Sequence, residues 1–415
     1  MKQISSKNII IIYFFLYSSL LFGFYSNEDF ALGFIRDYEL HLKLIHIFDN
    51  SILDGFMNYE DEKVPHSPIY VFYFSFIENI FKNEIITRLF HLHICLLIPF
   101  FLYKSLKVKF KKKIGFYLYL IPVLIFVSPY FRSGLIWIDD NLLALIFLSI
   151  SIFYFTKYDN KKDNLLINIL LNTVFLALAA YIRPIYSLFG LYFFIRYTME
   201  IKSIKILFFY IILNLILCWP AVYYVFILGI DGWFQSYLFR RNIISVVSLS
   251  QSVLFFYLLP YLLFYFKDKF IKKFNSYDVL IFFVYLILLN IFFVYDVAYS
   301  GGIFFKISNY VFNNLIFFFL IASLSFVFIL KFFWDPQHKI NSYYDFLLLI
   351  ILLMFELDGV IYHETYDPLF YLLIFTIFKN SFLNNFIFSM NNNKYFSLVI
   401  LSFSFYIMSV LKTLI

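Results

Sequence analysis

The sequence predicts an all-α fold, a polytopic transmembrane helical bundle, and three observations carry that reading. Of its 415 residues, 63% are hydrophobic and only 14% are charged. An ordinary soluble domain carries about a quarter charged residues. The apolar residues also come in long runs, giving a mean hydropathy of +0.83. These figures exclude a water-soluble fold, a disordered chain and a nucleic-acid binder. Cys95 and Cys218 both lie inside apolar runs, so there is neither a disulfide framework nor a metal-type cysteine spacing. The 62 Phe and 36 Tyr read as the codon bias of an AT-rich genome rather than as an aromatic binding surface.

A crossing needs roughly 20 apolar residues. Such segments fall at about 8–25, 85–103, 114–130, 141–156, 164–182, 185–197, 204–228, 251–266, 278–296, 310–333, 343–358, 367–378 and 395–412, which predicts about 13 spans. The first follows Lys2 and Lys7 as a signal peptide would. It is long and lacks a small-x-small cleavage site, so it reads as an uncleaved anchor. Between it and the next span lies the longest polar stretch, 26–67. There Ala31, Phe34, Ile35, Tyr38, Leu42 and Ile45 repeat at helical spacing, opposite Arg36, Glu39, Lys43 and His46. This pattern predicts an amphipathic helix lying on the membrane surface. Pro65-His66-Ser67-Pro68 then reads as a helix start, with Ser67 as cap and Pro68 in the first turn.

If the segment 69–81 crossed as well as 85–103, the lysine run 104–113 would emerge on the wrong side, so 69–81 reads as a half-depth or re-entrant helix, or as part of one broken crossing. The segments at 185–197 and 367–378 are too short to cross comfortably and must be kinked, tilted or packed within the protein. No soluble domain, internal repeat or Gly-rich phosphate loop interrupts the pattern. The chain therefore reads as one integral membrane domain over 1–415, with its chemical motifs concentrated in 1–190 and further spans in 191–415.

Orientation follows from Lys and Arg placement. With the N-terminus cytoplasmic, the inner loops hold 22 of the 33 basic residues. The acids run the other way, so the net charge of +7 is largely this sidedness rather than a basic ligand site.

Ionisable residues at span ends are the informative ones, because burying them is costly without a partner or a role. On the predicted outer face these are Glu28 and Asp29 after the first span, and Asp139 and Asp140 opening the 141–156 span. Arg132, Arg183, Arg240, Arg241, Lys306 and the phrase Tyr362-His363-Glu364 join them. Plainer roles exist for each. Asp139 and Asp140 suit a helix N-terminus, the arginines suit lipid headgroups, and His66 suits a solvated loop. What favours chemistry is that acids and bases gather on one face, at the ends of different spans.

This layout resembles the GT-C superfamily of integral membrane glycosyltransferases, which includes aminoarabinose transferase-like enzymes and protein O-mannosyltransferases. Asn27-Glu28-Asp29 is similar to the family's acidic motif after the first span. Pro65-His66-Ser67-Pro68-Ile69-Tyr70 is similar to its His-Pro-Pro-like turn, with Ser in place of the first proline. Pro129, Arg132, Asp139 and Asp140 resemble a Pro–Arg–Asp-Asp phrase, and Tyr362 to Leu369 resembles a late active-site loop. No soluble C-terminal domain accompanies them.

The resemblance implies a sugar donor on a polyprenyl phosphate, used at the exterior (periplasmic) face of a bacterial inner membrane. The acceptor would be a lipid-linked glycan, a lipid or a protein. It implies a carboxylate base, Asp29 first and Glu28 second, with Asp139 or Asp140 orienting the acceptor or sharing that role. Arg183, Arg240, Arg241, Lys306 and His363 would stabilise the departing phosphate, and His66, Arg132 and Tyr362 would serve the acceptor or its loop. A divalent cation between Glu28/Asp29 and Asp139/Asp140 would suit hard oxygen ligands, and nothing in the sequence requires one. The competing expectations are a lipid-linked oligosaccharide flippase or other transporter, and an O-antigen polymerase or ligase. A transporter should carry charges at mid-span, and a ligase a larger late external loop than 229–250.

Overall fold

A computed structural model of the chain describes residues 6–49, 51–57, 59, 67–110, 114–161, 164–222, 242–265, 275–297, 300–334, 337–355 and 360–414. Among these residues there are helices and turns and no strands. The chain forms two compact units, residues 1–230 with 402–415, and residues 231–401. The first unit thus extends beyond the 1–190 stretch that holds most of the motifs.

The first unit begins with α1 (Ser6–Tyr25), then α2 (Phe34–Leu42) and α3 (Ile52–Met57). Next come α4 (Pro68–Phe81), α5 (Glu84–Cys95) and α6 (Leu97–Phe110). The short helices α7 (Tyr117–Leu120), α8 (Val123–Phe126) and α9 (Pro129–Ile136) follow. The unit continues through α10 (Asp140–Lys161), α11 (Leu165–Ile182), α12 (Leu188–Glu200) and α13 (Ile204–Val222).

The second unit contains α14 (Ile243–Tyr265), α15 (Ser276–Phe292), α16 (Gly302–Tyr310), α17 (Ile316–Phe333) and α18 (Lys339–Leu353). It also holds the short α19 (His363–Tyr366), α20 (Leu369–Thr376) and α21 (Ser381–Phe388). The last helix, α22 (Asn392–Leu414), enters the first unit from Ser402 onward.

The protein is a multi-pass membrane helical bundle, but the thirteen expected spans reduce to fewer. Eight helices among the described residues are long and apolar enough to cross, or ten if each of two bent pairs is one crossing. The causes are local. The 114–130 segment breaks where Pro129 restarts the chain as α9, at 65° to the preceding helices. Proline lacks the N–H that would carry the preceding helix onward, fits the first turn of a new one, and holds its predecessor extended. The 367–378 segment is half of a pair bent by 85°, and every residue of α20 is buried. α15 and α18 stop at 17 and 15 residues.

α10 is the spine of the first unit. α11 runs antiparallel to it: Asp140 meets Arg183, Ser151 exchanges hydrogen bonds with Asn172, and Phe175 stacks on Phe147 and Tyr154. α12, only 13 residues long, keeps pace along α10 in the same direction. Its preceding 3-10 turn, Pro184–Ser187, rises more steeply than an α-helix and lets Tyr186 reach Asn141 at 2.6 Å. Arg196 then reaches Asp159 at 2.7 Å. The short 185–197 segment is therefore packed within the protein.

The amphipathic helix of the 26–67 stretch forms, with Arg36, Glu39, Lys43 and His46 exposed as its pattern requires. Its apolar face is not free for lipid, however. Tyr38 is 2% exposed and packs on Phe74 of α4 and on Trp137, at ring separations of 5.5 and 5.7 Å. The expected surface helix thus rests part of its apolar face on protein. α4 starts where the sequence places it, with Ser67 accepting from Ile69 N–H at 3.3 Å and Pro68 in the first turn.

In the second unit, α14 is buried along most of its length. Gln251 donates to the Ala322 carbonyl and to Ser325 of α17, at 2.6 and 2.7 Å. An Asn275–Asp278 capping box starts α15, and Asp278 pairs with Lys331 at 2.9 Å.

Candidate functional site

The acidic motif after the first span is the C-cap of α1. Asn27 takes a left-handed conformation, φ 54°, which Asn tolerates better than most residues. Its N–H donates to Phe24 O at 3.2 Å, and the Glu28 N–H donates to Gly23 O at 2.8 Å. That is the Schellman pattern, and it folds the chain back over the last turn of the helix. Glu28 is thereby aimed at Gly23, where an added Cβ would sit 2.2 Å from Glu28 Oε2. Glycine is required by this close approach.

A second turn of the same kind ends α9. The Asp139 N–H donates to Gly134 O at 3.1 Å, and the left-handed residue between is Ile138, φ 54°. A β-branched side chain in that region is a true outlier, at a cost of about 1–3 kcal/mol. The two turns are tied together. Arg132 of α9 grips Glu28 through Nε and Nη2, both at 2.6 Å, with Glu28 5% and Arg132 4% exposed. Arg132 also donates to Ser19 of α1 and lies 5.5 Å from the Tyr406 ring. Trp137 donates from Nε1 to the Glu28 carbonyl at 2.9 Å. Arg88 donates to the Ile136 carbonyl and to Asn27 Oδ1, and stacks 3.7 Å from the Trp137 ring.

Within this frame the predicted residues separate by role. Glu28 is fully engaged by Arg132, so the pair is a buried structural clamp. Asp29 differs. Its Oδ2 accepts from the Gly33 and Ile35 N–H groups at 3.1 and 3.3 Å, which holds the start of α2, while its Oδ1 is buried and without a hydrogen-bond partner. Asp139 takes the plainer role, its Oδ2 accepting from Leu142 N–H at 3.0 Å as the cap of α10. Asp140 lies 3.5 Å from Arg183, both partly exposed.

The remaining residues are elsewhere. In the second unit, Ile303 N–H donates to His363 Nε2 at 2.9 Å, and Tyr257 lies 3.3 Å from Nδ1. A ring that accepts a backbone N–H at Nε2 is a neutral imidazole, so His363 serves as a cap for α16 and not as a phosphate-binding cation. Tyr362 is half-buried just before α19, and Lys306, on α16, is within electrostatic range of His363. His66, Arg240 and Arg241 lie outside the described residues. Among the described residues, no three His, Cys, Asp or Glu side chains gather as a metal ion would need, and Glu28 is already committed.

Sequence reasoning missed three members of this region: Arg88, Tyr70 and His41. Arg88 carried a signal, a lone arginine at the start of an apolar run. Tyr70 stands at the end of the Pro65–Tyr70 phrase, which assigns it no role, and His41 carried no signal. Compared with family models, curated proteins and solved structures, the chain matches none of them. What fold and site define is a multi-pass membrane protein whose first unit carries two carboxylate-bearing turns tied together by the buried Glu28–Arg132 pair.

Proposed function

We propose that this protein is a membrane glycosyltransferase, moving a sugar from a polyprenyl-phosphate donor to a hydroxyl of a lipid-linked glycan, lipid or protein acceptor on the extracytoplasmic face. The observation that carries this reading is the Asp29 carboxylate. One oxygen is fixed by two backbone amides and the other is buried without a partner. A general base needs this combination of a held orientation and a lone pair left for the incoming proton.

In the proposed reaction the acceptor oxygen forms a bond to the anomeric carbon and its proton passes to Asp29 Oδ1. The bond from that carbon to the phosphate oxygen breaks, releasing polyprenyl phosphate. Arg183, beside Asp140 and partly exposed, is assigned to the phosphate, whose negative charge grows as it leaves. A lipid-borne donor also fits a chain with no Gly-rich nucleotide loop.

The test is turnover in nanodiscs with a panel of polyprenyl-phosphate sugars, reading release of polyprenyl phosphate. Asp29→Asn should lower the rate by about 10²-fold or more. Undiminished release by Asp29→Asn overturns the assignment. Movement of intact donor across the bilayer without release would favour a flippase instead.

A further inference from the structure

The two Schellman turns differ in one respect that requires an explanation. Asn27 suits the left-handed position in the first, whereas the second places Ile138 there, fully buried. A strained residue persists only where its surroundings over-determine it. Those surroundings are visible. The Tyr70 hydroxyl of α4 donates to the Ile138 carbonyl at 2.7 Å, and the same oxygen lies 2.8 Å from His41 Nδ1 of α2. A phenol has one proton, so with that proton given to Ile138 the second bond must run from His41 Nδ1–H to the Tyr70 oxygen. Tyr70 is 0% exposed and His41 4%, so water does not compete.

We propose that His41 and Tyr70 form a latch: they are positioning residues that hold Ile138 left-handed and thereby set Asp139 and Asp140 at the head of α10. The carbonyl they grip belongs to the residue immediately before Asp139, and the turn it closes is the one whose 6→1 bond starts from the Asp139 amide. Releasing the carbonyl lets Ile138 return to an ordinary conformation, which unwinds the Asp139 cap and draws Asp140 from Arg183. The latch also ties α2 to this carboxylate pair through His41. Its geometry stands apart from the glycosyl-transfer reading, and only its effect on turnover rests on that reading.

The test is a double-mutant cycle in the full-length purified protein, using Tyr70→Phe and Ile138→Asn. Asn is the residue that the first turn uses at this place, and its own burial cost cancels in the cycle. The first readout is labelling of Asp139 and Asp140 by a water-soluble carbodiimide, quantified by peptide mass spectrometry. Tyr70→Phe should raise labelling by roughly tenfold in the parent chain and change it little when Ile138→Asn is present. Equal effects in both backgrounds would mean that Tyr70 acts only by packing, and the latch is then wrong. If Tyr70→Phe alone does not fold, Ile138→Asn should restore the folded yield, and failure to do so is equally fatal. The second readout is donor turnover, where Tyr70→Phe should lower kcat at unchanged KM, with rescue by Ile138→Asn. A parent chain with no turnover but the expected labelling pattern defeats the transferase reading and leaves the latch standing. Turnover in the parent with no labelling response does the reverse.

Discussion

Two adjacent acids, Glu28 and Asp29, show how a single Schellman turn separates their fates. The turn points Glu28 back along α1 into the guanidinium of Arg132, and Asp29 forward to the amides of α2. Glu28→Gln leaves the Arg132 charge buried without its counter-ion, and removing one partner of such a pair costs roughly 3–5 kcal/mol. A clear fall in Tm of the purified protein is the expected outcome, whereas Asp29→Asn should leave Tm nearly unchanged while abolishing turnover. Similar Tm losses in both variants would erase the distinction. Gly23→Ala should mimic Glu28→Gln, because its new methyl occupies the space of Glu28 Oε2. Near the clamp, burial pushes the Tyr38 phenol above its ordinary pKa, so its hydroxyl keeps its proton at working pH.

At the scale of elements, α4 is the clearest case of a helix written in its own sequence. Ser67 caps it and Pro68 opens it. Ser67 also donates to the Tyr181 carbonyl of α11, so the cap doubles as a tie between helices. Ser67→Ala should lower stability by about 1 kcal/mol for the cap alone. The orphaned carbonyl should add to that, measurable as a Tm shift larger than Asn83→Ala gives at the N-cap of α5. The amphipathic helix was legible in its periodicity, since the exposed set Arg36, Glu39, Lys43 and His46 follows from spacing alone. That Tyr38 on its other face meets Phe74 and Trp137 was not legible, because protein and lipid are both apolar and periodicity cannot tell them apart. Among the described residues fewer helices than expected are long enough to cross, for the related reason that hydropathy measures burial and is blind to direction. Residues of α20 are as apolar as any crossing helix, yet they turn through 85° inside the protein. At the candidate site, charge at span ends located Asp29, Asp140 and Arg183. The latch stayed hidden, since a tyrosine and a histidine among 36 Tyr and 7 His have no pattern of their own.

For the whole molecule, the sorting of Lys and Arg predicts which ends face the cytoplasm, and the chain is suited to a direct check. With Cys95 and Cys218 replaced by Ser, a single cysteine can be placed at exposed Glu39 or exposed Lys202. Glu39→Cys should react with an impermeant maleimide in intact cells, and Lys202→Cys only after permeabilisation. The reverse pattern would put the Asp29 and Asp140 turns on the cytoplasmic side and exclude an external donor site. The spine of the first unit bears on a different property, its mechanics. α10 is fastened to its neighbours near both ends, by Asp140 to Arg183 and by Asp159 to an Arg196 that is also held by Glu200. Between them, Ser151 and Asn172 fix the register from the middle. Sliding α10 by one helical turn, about 5.4 Å, would break all three fastenings together. Such a column resists the shear by which transporters expose a site alternately to two compartments. It behaves as a fixed post within the first unit.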